Sequence, residues 1–260
     1  MTSRLDAWSH HPELVAFYTT HRHRPDDLYP SERRFVPWLA RQSQTLLDVG
    51  CAAGGFMAIW RHWNPDLRYT GIDASPELVE AARRLHPDAE FLVGDCATGL
   101  DLADASADAV QALGWLHWEE RYADALRELW RTTARTLFFD VRLHDHGPDD
   151  LRSEQRLELT AEWDGHTTVP YLVASWPAFA RLLLELGPAT ILGVGYTGTP
   201  SATVVGLNEE VCFATFVLVR GETSGDRPVV CVDLPLRWPS DMTDSIDLRP
   251  ADELATRVPR

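Results

Sequence analysis

Three aspartates stand where short apolar runs of the chain end, and small residues follow the first of them. Asp48 lies in LLDVG, just before the turn GCAAGG at 50–55, while Asp73 ends RYTGID and Asp95 follows EFLVG. Glycine lets a backbone approach a ligand closely and adopt positive φ. The turn does not fit the dinucleotide pattern G-x-G-x-x-G, and Asp48 would repel a pyrophosphate there. These residues favour a cationic ligand, such as one with an ammonium or sulfonium group.

The elements that must position these acids alternate between strand and helix. Five apolar runs are predicted as buried strands, namely 45–50, 67–73, 90–95, 107–116 and 136–143. The helical patterns between them predict right-handed crossovers and a mostly parallel sheet with helices on both faces. The carboxyl ends of such strands share one edge of the sheet, where ligands bind.

The segment DVGCAAGG, followed by GID, resembles the cofactor-binding region of class I S-adenosylmethionine-dependent methyltransferases. The resemblance covers Thr45 to about Leu143, with a weaker likeness as far as Gly221. It implies an α/β, Rossmann-like fold with a seven-stranded, mostly parallel sheet. It also implies S-adenosylmethionine as cofactor and S-adenosylhomocysteine as product. The cofactor-binding positions that it implies are Asp48, Gly50, Cys51, Ala52, Gly54, Asp73, Ala74, Asp95, Cys96, Leu113, Gly114 and His117.

Each acid has an implied role and a purely structural alternative. In the family, the position of Asp48 holds the methionine part of the cofactor, that of Asp73 the ribose hydroxyls and that of Asp95 the adenine amino group. The alternatives are that Asp48 bonds loop amides, that Asp73 supports the helix cap at Ser75, and that Asp95 opens a turn. The family usually has glycine where this chain has Ala52.

Methyl transfer to a hydroxyl benefits from a general base near the carboxyl edge. His117, in GWLHWEE, is the best-placed histidine, and its ordinary pKa near 6.5 suits proton abstraction. Its alternative role is a wall of the pocket or an anchor of the loop. His144 and Tyr29 are the other catalytic candidates. A metal site formed by His144 and His146 with Asp140 and Asp145 is the less favoured interpretation, because a short polar loop is a sufficient explanation of LHDHGPDD.

The methyltransferase domain is predicted at 45–221, between an N-terminal helical lid at 1–44 and a C-terminal extension at 222–260. The Asp-Gly pair in WDGH predicts a β-hairpin within an insertion at 144–175. This insertion is expected to bound the acceptor pocket or to form a homodimer contact. The residues expected to contact the acceptor are aromatic or basic: Tyr18, His21, Arg22, Tyr29, Trp115, Trp118, Trp163 and Tyr171.

Composition excludes several other classes of function. The net charge is −15, all 24 basic residues apart from histidine are arginines, and no lysine is present. A Walker-type phosphate lysine and a Schiff-base lysine are therefore ruled out. Nucleic-acid binding is not expected either, because the sequence shows no basic stripe of the kind that nucleic-acid binders carry. No membrane segment or signal peptide is expected. Four cysteines without metal-type spacing are typical of reduced thiols in the cytoplasm.

The predicted function is S-adenosylmethionine-dependent O- or N-methylation of a small-molecule acceptor, in natural-product or sugar biosynthesis. Two alternatives stay open. One is an enzyme that binds the same cofactor but catalyses cyclisation, rearrangement or elimination. The other is a non-catalytic binding protein with the same fold.

Overall fold

A computed structural model describes residues 12–156, 168–221 and 227–258 of the chain. Within these ranges the helices are α1 (Pro12–Tyr18), α2 (Pro30–Gln42), α3 (Gly55–Trp63), α4 (Pro76–Leu85), α5 (Tyr122–Thr132), α6 (Trp176–Glu185) and α7 (Leu254–Arg257). The strands are β1 (Thr45–Val49), β2 (Arg68–Asp73), β3 (Glu90–Val93), β4 (Ala107–Ala112), β5 (Thr133–His144), β6 (Asp150–Arg156), β7 (Thr168–Ser175), β8 (Thr190–Gly198), β9 (Val204–Val205), β10 (Val211–Val219), β11 (Val229–Asp233) and β12 (Asp247–Arg249).

The central sheet has the strand order β12-β11-β8-β10-β5-β4-β1-β2-β3. The strands from β3 to β5 are parallel to one another, whereas β10 runs antiparallel to both of its neighbours. The predicted α/β fold with a mostly parallel sheet is confirmed. The described sheet exceeds the predicted seven strands, because β11 and β12 extend the edge beyond β8. The run VVCVD supplies β11, which buries Val230 and Cys231.

Side chains alternate between the two faces of the sheet, and each face carries its own hydrophobic core. Phe138 packs with α2, α3 and α4, whereas the next residue, Phe139, packs with α5 and α6. Helix α2 belongs to the first of these cores, since Phe35 and Leu39 are fully buried. The predicted lid at 1–44 therefore contains a helix that packs as part of the domain core.

The predicted insertion at 144–175 contains the antiparallel pair β6–β7, joined on one side by β9. Strand β7 also pairs with the end of β5, at Leu143 and His144. Tyr171 and Val173 form a small separate core there, against which Trp118 packs. The predicted hairpin turn, with Trp163, lies outside the described residues.

No helix in the described ranges is both long and apolar enough to span a bilayer.

Candidate functional site

A cavity of about 320 Å³ lies at the carboxyl ends of β1–β5, beneath the segment that joins α1 to α2. This volume is within the range of small-molecule sites, about 300–1,000 Å³. Most residues predicted to bind cofactor or acceptor line it: Tyr18, His21, Arg22, Tyr29, Gly50, Cys51, Ala52, Asp73, Ala74, Asp95, Cys96, Leu113, Gly114, Trp115, His117 and Trp118. Lining residues that were not expected from the sequence are Glu32, Val49, Ala53, Gly55, Phe56, Leu78, Gly94, Glu119, Asp140 and Arg142.

The turn after β1 is held by its own backbone and by one indole. The amides of Gly50 and Cys51 both donate to the Ile72 carbonyl, at 2.7 and 3.0 Å. The Trp115 indole N–H donates to the Val49 carbonyl at 2.7 Å. Gly50 has φ +76°, and a Cβ at this position would lie 2.3 Å from the Trp115 ring. Glycine is therefore required both by the backbone conformation and by the close approach of Trp115.

Asp73 connects the end of β2 to this turn. One carboxylate oxygen accepts from the Ala52 amide at 2.8 Å, and the other accepts from the Ser75 amide at 2.9 Å. Burial raises the pKa of Asp73, and these amides oppose the rise. Ala52 has φ +48°, which explains why glycine is usual there in the family that the sequence resembles. Asp95 lines the cavity nearby and accepts from the Ala97 amide at 3.1 Å.

Asp48 lies beneath the turn and is not among the residues that line the cavity. It accepts from the Tyr69 hydroxyl at 2.5 Å and from the Gln111 side-chain amide at 2.9 Å. Because side chains alternate along β1, Asp48 faces the core that contains Trp60, whose indole donates to Gln111 at 2.7 Å. Burial raises the pKa of Asp48 to about 6. The cofactor contact expected of Asp48 stays a prediction, and in the structure its carboxylate lies in a buried network beneath the turn. Gly54 is also outside the lining.

The N-terminal segment covers the cavity through Arg22. The Arg22 guanidinium lies 4.6 Å from the ring centres of both Tyr29 and Phe56, and it pairs with the buried Glu32 carboxylate. Glu32 also accepts from the Tyr29 amide at 2.8 Å. A Cβ on Gly55 would lie 2.6 Å from the Arg22 carbonyl oxygen. The segment therefore rests directly on the first turn of α3.

His117 also lines the cavity and is 4 % exposed. Its ring centre is 4.5 Å from that of Trp118 and 5.4 Å from that of Tyr171. Burial, together with the nearby Arg142 guanidinium, lowers the pKa of His117 to about 3. The imidazole is therefore neutral at physiological pH and would hold an added proton weakly. This environment favours a hydrogen-bonding role over that of the predicted general base.

Asp140 and Arg142 form an ion pair beside His117. The guanidinium donates to the Asp140 carboxylate at 2.7 Å and lies 4.6 Å from the Phe213 ring centre. The Asp140 carboxylate also accepts from the Gly114 amide at 2.6 Å, and the Tyr171 hydroxyl is hydrogen-bonded to Arg142. The sequence signal for this pair is two charges, two residues apart, in the otherwise apolar run TLFFDVRL. Alternation along a strand places both on one face.

Two further predicted residues lie away from the lining. His144 is buried, its Nδ1 accepts from the His146 amide at 3.2 Å, and the two imidazole centres are 4.5 Å apart. Its catalytic role stays a prediction that the cavity does not support. Tyr171 lies outside the lining, where its ring contacts His117 and its hydroxyl lies beside Arg142. Over the described ranges, no group of three or more histidine, cysteine, aspartate or glutamate side chains could hold a metal ion.

Comparison with known proteins agrees with this geometry. Residues 47–136 match the family described as "Methyltransferase domain". Trans-aconitate 2-methyltransferase of Escherichia fergusonii is 33 % identical over 119 residues, which are 42 % of each protein. Malonyl-[acyl-carrier protein] O-methyltransferase of Erwinia billingiae is 34 % identical over 126 residues, 47 % of this chain and 45 % of that one. The chain thus spans less than half the length of these curated relatives.

A solved structure shows the same fold over a longer stretch. The N-terminal domain of EvdMO1, crystallised in the presence of S-adenosylhomocysteine and D-fucose, aligns with a TM-score of 0.54 and 17 % identity. The alignment covers 78 % of this chain and 84 % of that one. The fold is thus the Rossmann-like fold of class I methyltransferases. Residues 47–136 thus match a methyltransferase domain of the class whose cofactor is S-adenosylmethionine.

Proposed function

We propose that this chain transfers the methyl group of S-adenosylmethionine to an oxygen or nitrogen atom of a small-molecule acceptor. The observation that carries the proposal is the bond between the Asp73 carboxylate and the Ala52 amide at the cavity wall. It joins the end of β2 to the glycine turn, the two positions that such a cofactor needs together. The other end of the same cavity holds aromatic and charged side chains that can bind an acceptor.

The charges that line the cavity suit this cofactor. Five lining side chains are acids and two are arginines: Glu32, Asp73, Asp95, Glu119 and Asp140, against Arg22 and Arg142. Both arginines are paired with acids, so the remaining acids leave an excess of negative charge for a cationic sulfonium. Asp73 would hold the ribose and Asp95 the adenine. When bound, the cofactor supplies a methyl group on a positively charged sulfur.

The chain's own contribution is to align the reactants and to exclude water. Trp115 packs over the Gly50 turn and forms one wall. Arg22, which contacts the rings of Tyr29 and Phe56, forms another part of the wall. Tyr29 is 54 % exposed, which places it at the rim, where an acceptor would enter.

The relatives do not agree on one acceptor. Their names refer to trans-aconitate, to malonyl-[acyl-carrier protein] and, for a protein of Thermotoga maritima 33 % identical over 93 residues, to demethylmenaquinone. Each aligns over less than half of its length. The proposal is therefore limited to a small-molecule acceptor. We further propose that the reaction takes place in the cytoplasm and belongs to natural-product or sugar biosynthesis.

The first test is calorimetric titration with S-adenosylmethionine and S-adenosylhomocysteine. Asp73→Ala should weaken binding about 10- to 100-fold, because hydrogen bonds to a charged group contribute about 1.5–3 kcal/mol. Asp108→Ala is the matched control. Its carboxylate also accepts from two backbone amides, those of Gln44 and Thr45, but it lies at the other end of β1, outside the cavity.

Three outcomes would count against the proposal. Failure of the wild type to bind either compound would remove the cofactor. Equal losses in Asp73→Ala and Asp108→Ala would show a general effect on folding. Tight binding without any methylated product from a broad acceptor screen would favour a rearrangement, cyclisation or elimination.

A further inference from the structure

The acceptor end of the cavity contains buried polar atoms that lack a partner within the described residues. They are the Nδ1 atom of His117 and the Nε atoms of Arg142 and Arg22. All three side chains line the cavity. A buried polar group without a partner costs about 1–3 kcal/mol. A ligand rich in acceptor oxygens would recover that cost.

The N–H donors of Arg142 at this end are arranged for an oxyanion. Arg142 is held by Asp140, by the Tyr171 hydroxyl and by the Phe213 ring, so its guanidinium has a fixed orientation. A guanidinium carries five N–H donors in a planar fork that matches a carboxylate. The hydrogen bond to Asp140 comes from one terminal nitrogen of this fork. The second ion pair, Arg22–Glu32, also lines the cavity, close enough for the Asp140 charge to raise the pKa of Glu32.

His117 and two ionisable groups beside it are poor proton acceptors. The imidazole itself is held neutral with a pKa near 3. The Arg142 guanidinium keeps the pKa of Asp140 below its usual value, while burial raises the pKa of the Tyr171 hydroxyl. An acceptor that is already ionised needs no base, and a carboxylate is ionised at neutral pH.

We propose that the acceptor is a small carboxylic acid, bound as its carboxylate by Arg142 and His117 and methylated on a carboxylate oxygen. This inference rests on the proposed methyltransferase function. A lone pair of that oxygen forms the new bond to the methyl carbon as the carbon–sulfur bond breaks, and the bonding electrons remain on sulfur. The product is a methyl ester, and no proton is released.

The test supplies methyl-labelled S-adenosylmethionine with short mono-, di- and tricarboxylic acids, each beside its carboxamide. Label should be transferred to at least one acid but not to the matching amide. Alkali should then release the label as volatile methanol, as expected of an ester. S-adenosylhomocysteine binding is measured by calorimetry on the same preparation.

The outcomes separate the inference from the function on which it rests. Absence of S-adenosylhomocysteine binding would overturn both. Binding together with alkali-stable label, or with transfer to none of the acids, would overturn only the carboxylate inference. Transfer to an acid and its amide alike would also overturn it.

Arg142→Lys tests the binding residue without removing the charge beside Asp140. The KM of the methylated acid, and its dissociation constant in the presence of S-adenosylhomocysteine, should rise at least about tenfold, since a lysine lacks the planar fork. S-adenosylhomocysteine affinity should stay within about twofold.

Arg220→Lys is the matched control, because Arg220 also stacks on an aromatic ring, 4.1 Å from the Trp130 ring centre, but does not line the cavity. Unchanged acid affinity in Arg142→Lys, or an equal loss in Arg220→Lys, would overturn the role of Arg142.

Discussion

The two ends of the cavity are built in different ways. At the cofactor end, backbone amides and carbonyls hold the turn: the Ile72 carbonyl accepts from Gly50 and Cys51, and the Ala52 amide donates to Asp73. At the acceptor end, charged side chains are paired with one another, as in Arg22–Glu32 and Asp140–Arg142. The first end depends on backbone conformation, whereas the second depends on charged side chains.

This difference predicts which substitutions each end tolerates. A backbone-built site is sensitive to added volume and to φ, because the chain itself contacts the ligand. A site built from ion pairs is sensitive to charge and protonation, since a lone buried charge is costly. The two ends should therefore respond to different perturbations.

The largest effect is expected for Gly50→Ala. Its Cβ would lie 2.3 Å from the Trp115 ring at φ +76°. The left-handed conformation costs about 1–2 kcal/mol, and overpacking costs about 1–3 kcal/mol more. The free energy of unfolding should therefore fall by about 2–5 kcal/mol in urea titrations, and S-adenosylhomocysteine should bind at least tenfold more weakly.

Gly187→Ala is the control for Gly50→Ala. Gly187 has φ +70°, and a Cβ at this position would meet no other atom within 4 Å, so the variant should show only the conformational cost. Equal destabilisation of the two variants would show that Trp115 does not restrict the turn.

The second prediction concerns Asp48, beneath the cofactor end. Its pKa is about 6 in the folded protein and about 3.9 when unfolded, so the folded state binds the proton more tightly. Its contribution to stability is present below about pH 4 and is lost as the pH rises through 6, by up to about 3 kcal/mol. Asp48→Asn should therefore gain stability relative to wild type between about pH 4 and pH 7, as measured by urea unfolding.

Tyr69→Phe sharpens this test. The Tyr69 hydroxyl donates to Asp48 and lowers its pKa, so removing the hydroxyl should steepen the loss of stability with pH. Parallel pH profiles for the wild type and Asp48→Asn would contradict the prediction.

The third prediction has the opposite sign and concerns the acceptor end. His117 has a pKa near 3 when folded and about 6.5 when unfolded. Its contribution to stability is therefore present above about pH 6.5 and is lost as the pH falls towards 3. Between about pH 7 and pH 5 this loss amounts to about 2 kcal/mol. His117→Gln should lose less stability than wild type over that interval, as measured by urea unfolding, and an unchanged pH slope would refute the assignment.

The same contrast explains what the sequence could predict. The turn, Asp73 and Asp95 line the cavity as expected, because they follow local strand–turn–helix patterns along the chain. Arg142 was not identified, because its role depends on Asp140, Tyr171 and Phe213 meeting in the folded protein. The cofactor contact expected of Asp48 followed the family pattern, whereas the alternation along β1 turns this side chain towards the core. The additional strand β11 depends on pairing with β8, and β12 depends on pairing with β11, which a local pattern does not specify.

The smallest effect is expected for Ala52→Gly, which tests whether the cofactor end depends on backbone alone. Ala52 has φ +48°, and Ala105, outside the cavity, has φ +51°. Glycine should relieve the left-handed strain at both positions and stabilise each variant by up to about 1 kcal/mol, after allowance for the greater freedom of its unfolded chain. Because the amide of Ala52, and not its methyl group, contacts Asp73, S-adenosylhomocysteine affinity should stay within about twofold in both variants. Tighter binding in Ala52→Gly alone, measured by calorimetry, would instead show that the methyl group obstructs the cofactor, and that side-chain volume limits this end of the cavity as well.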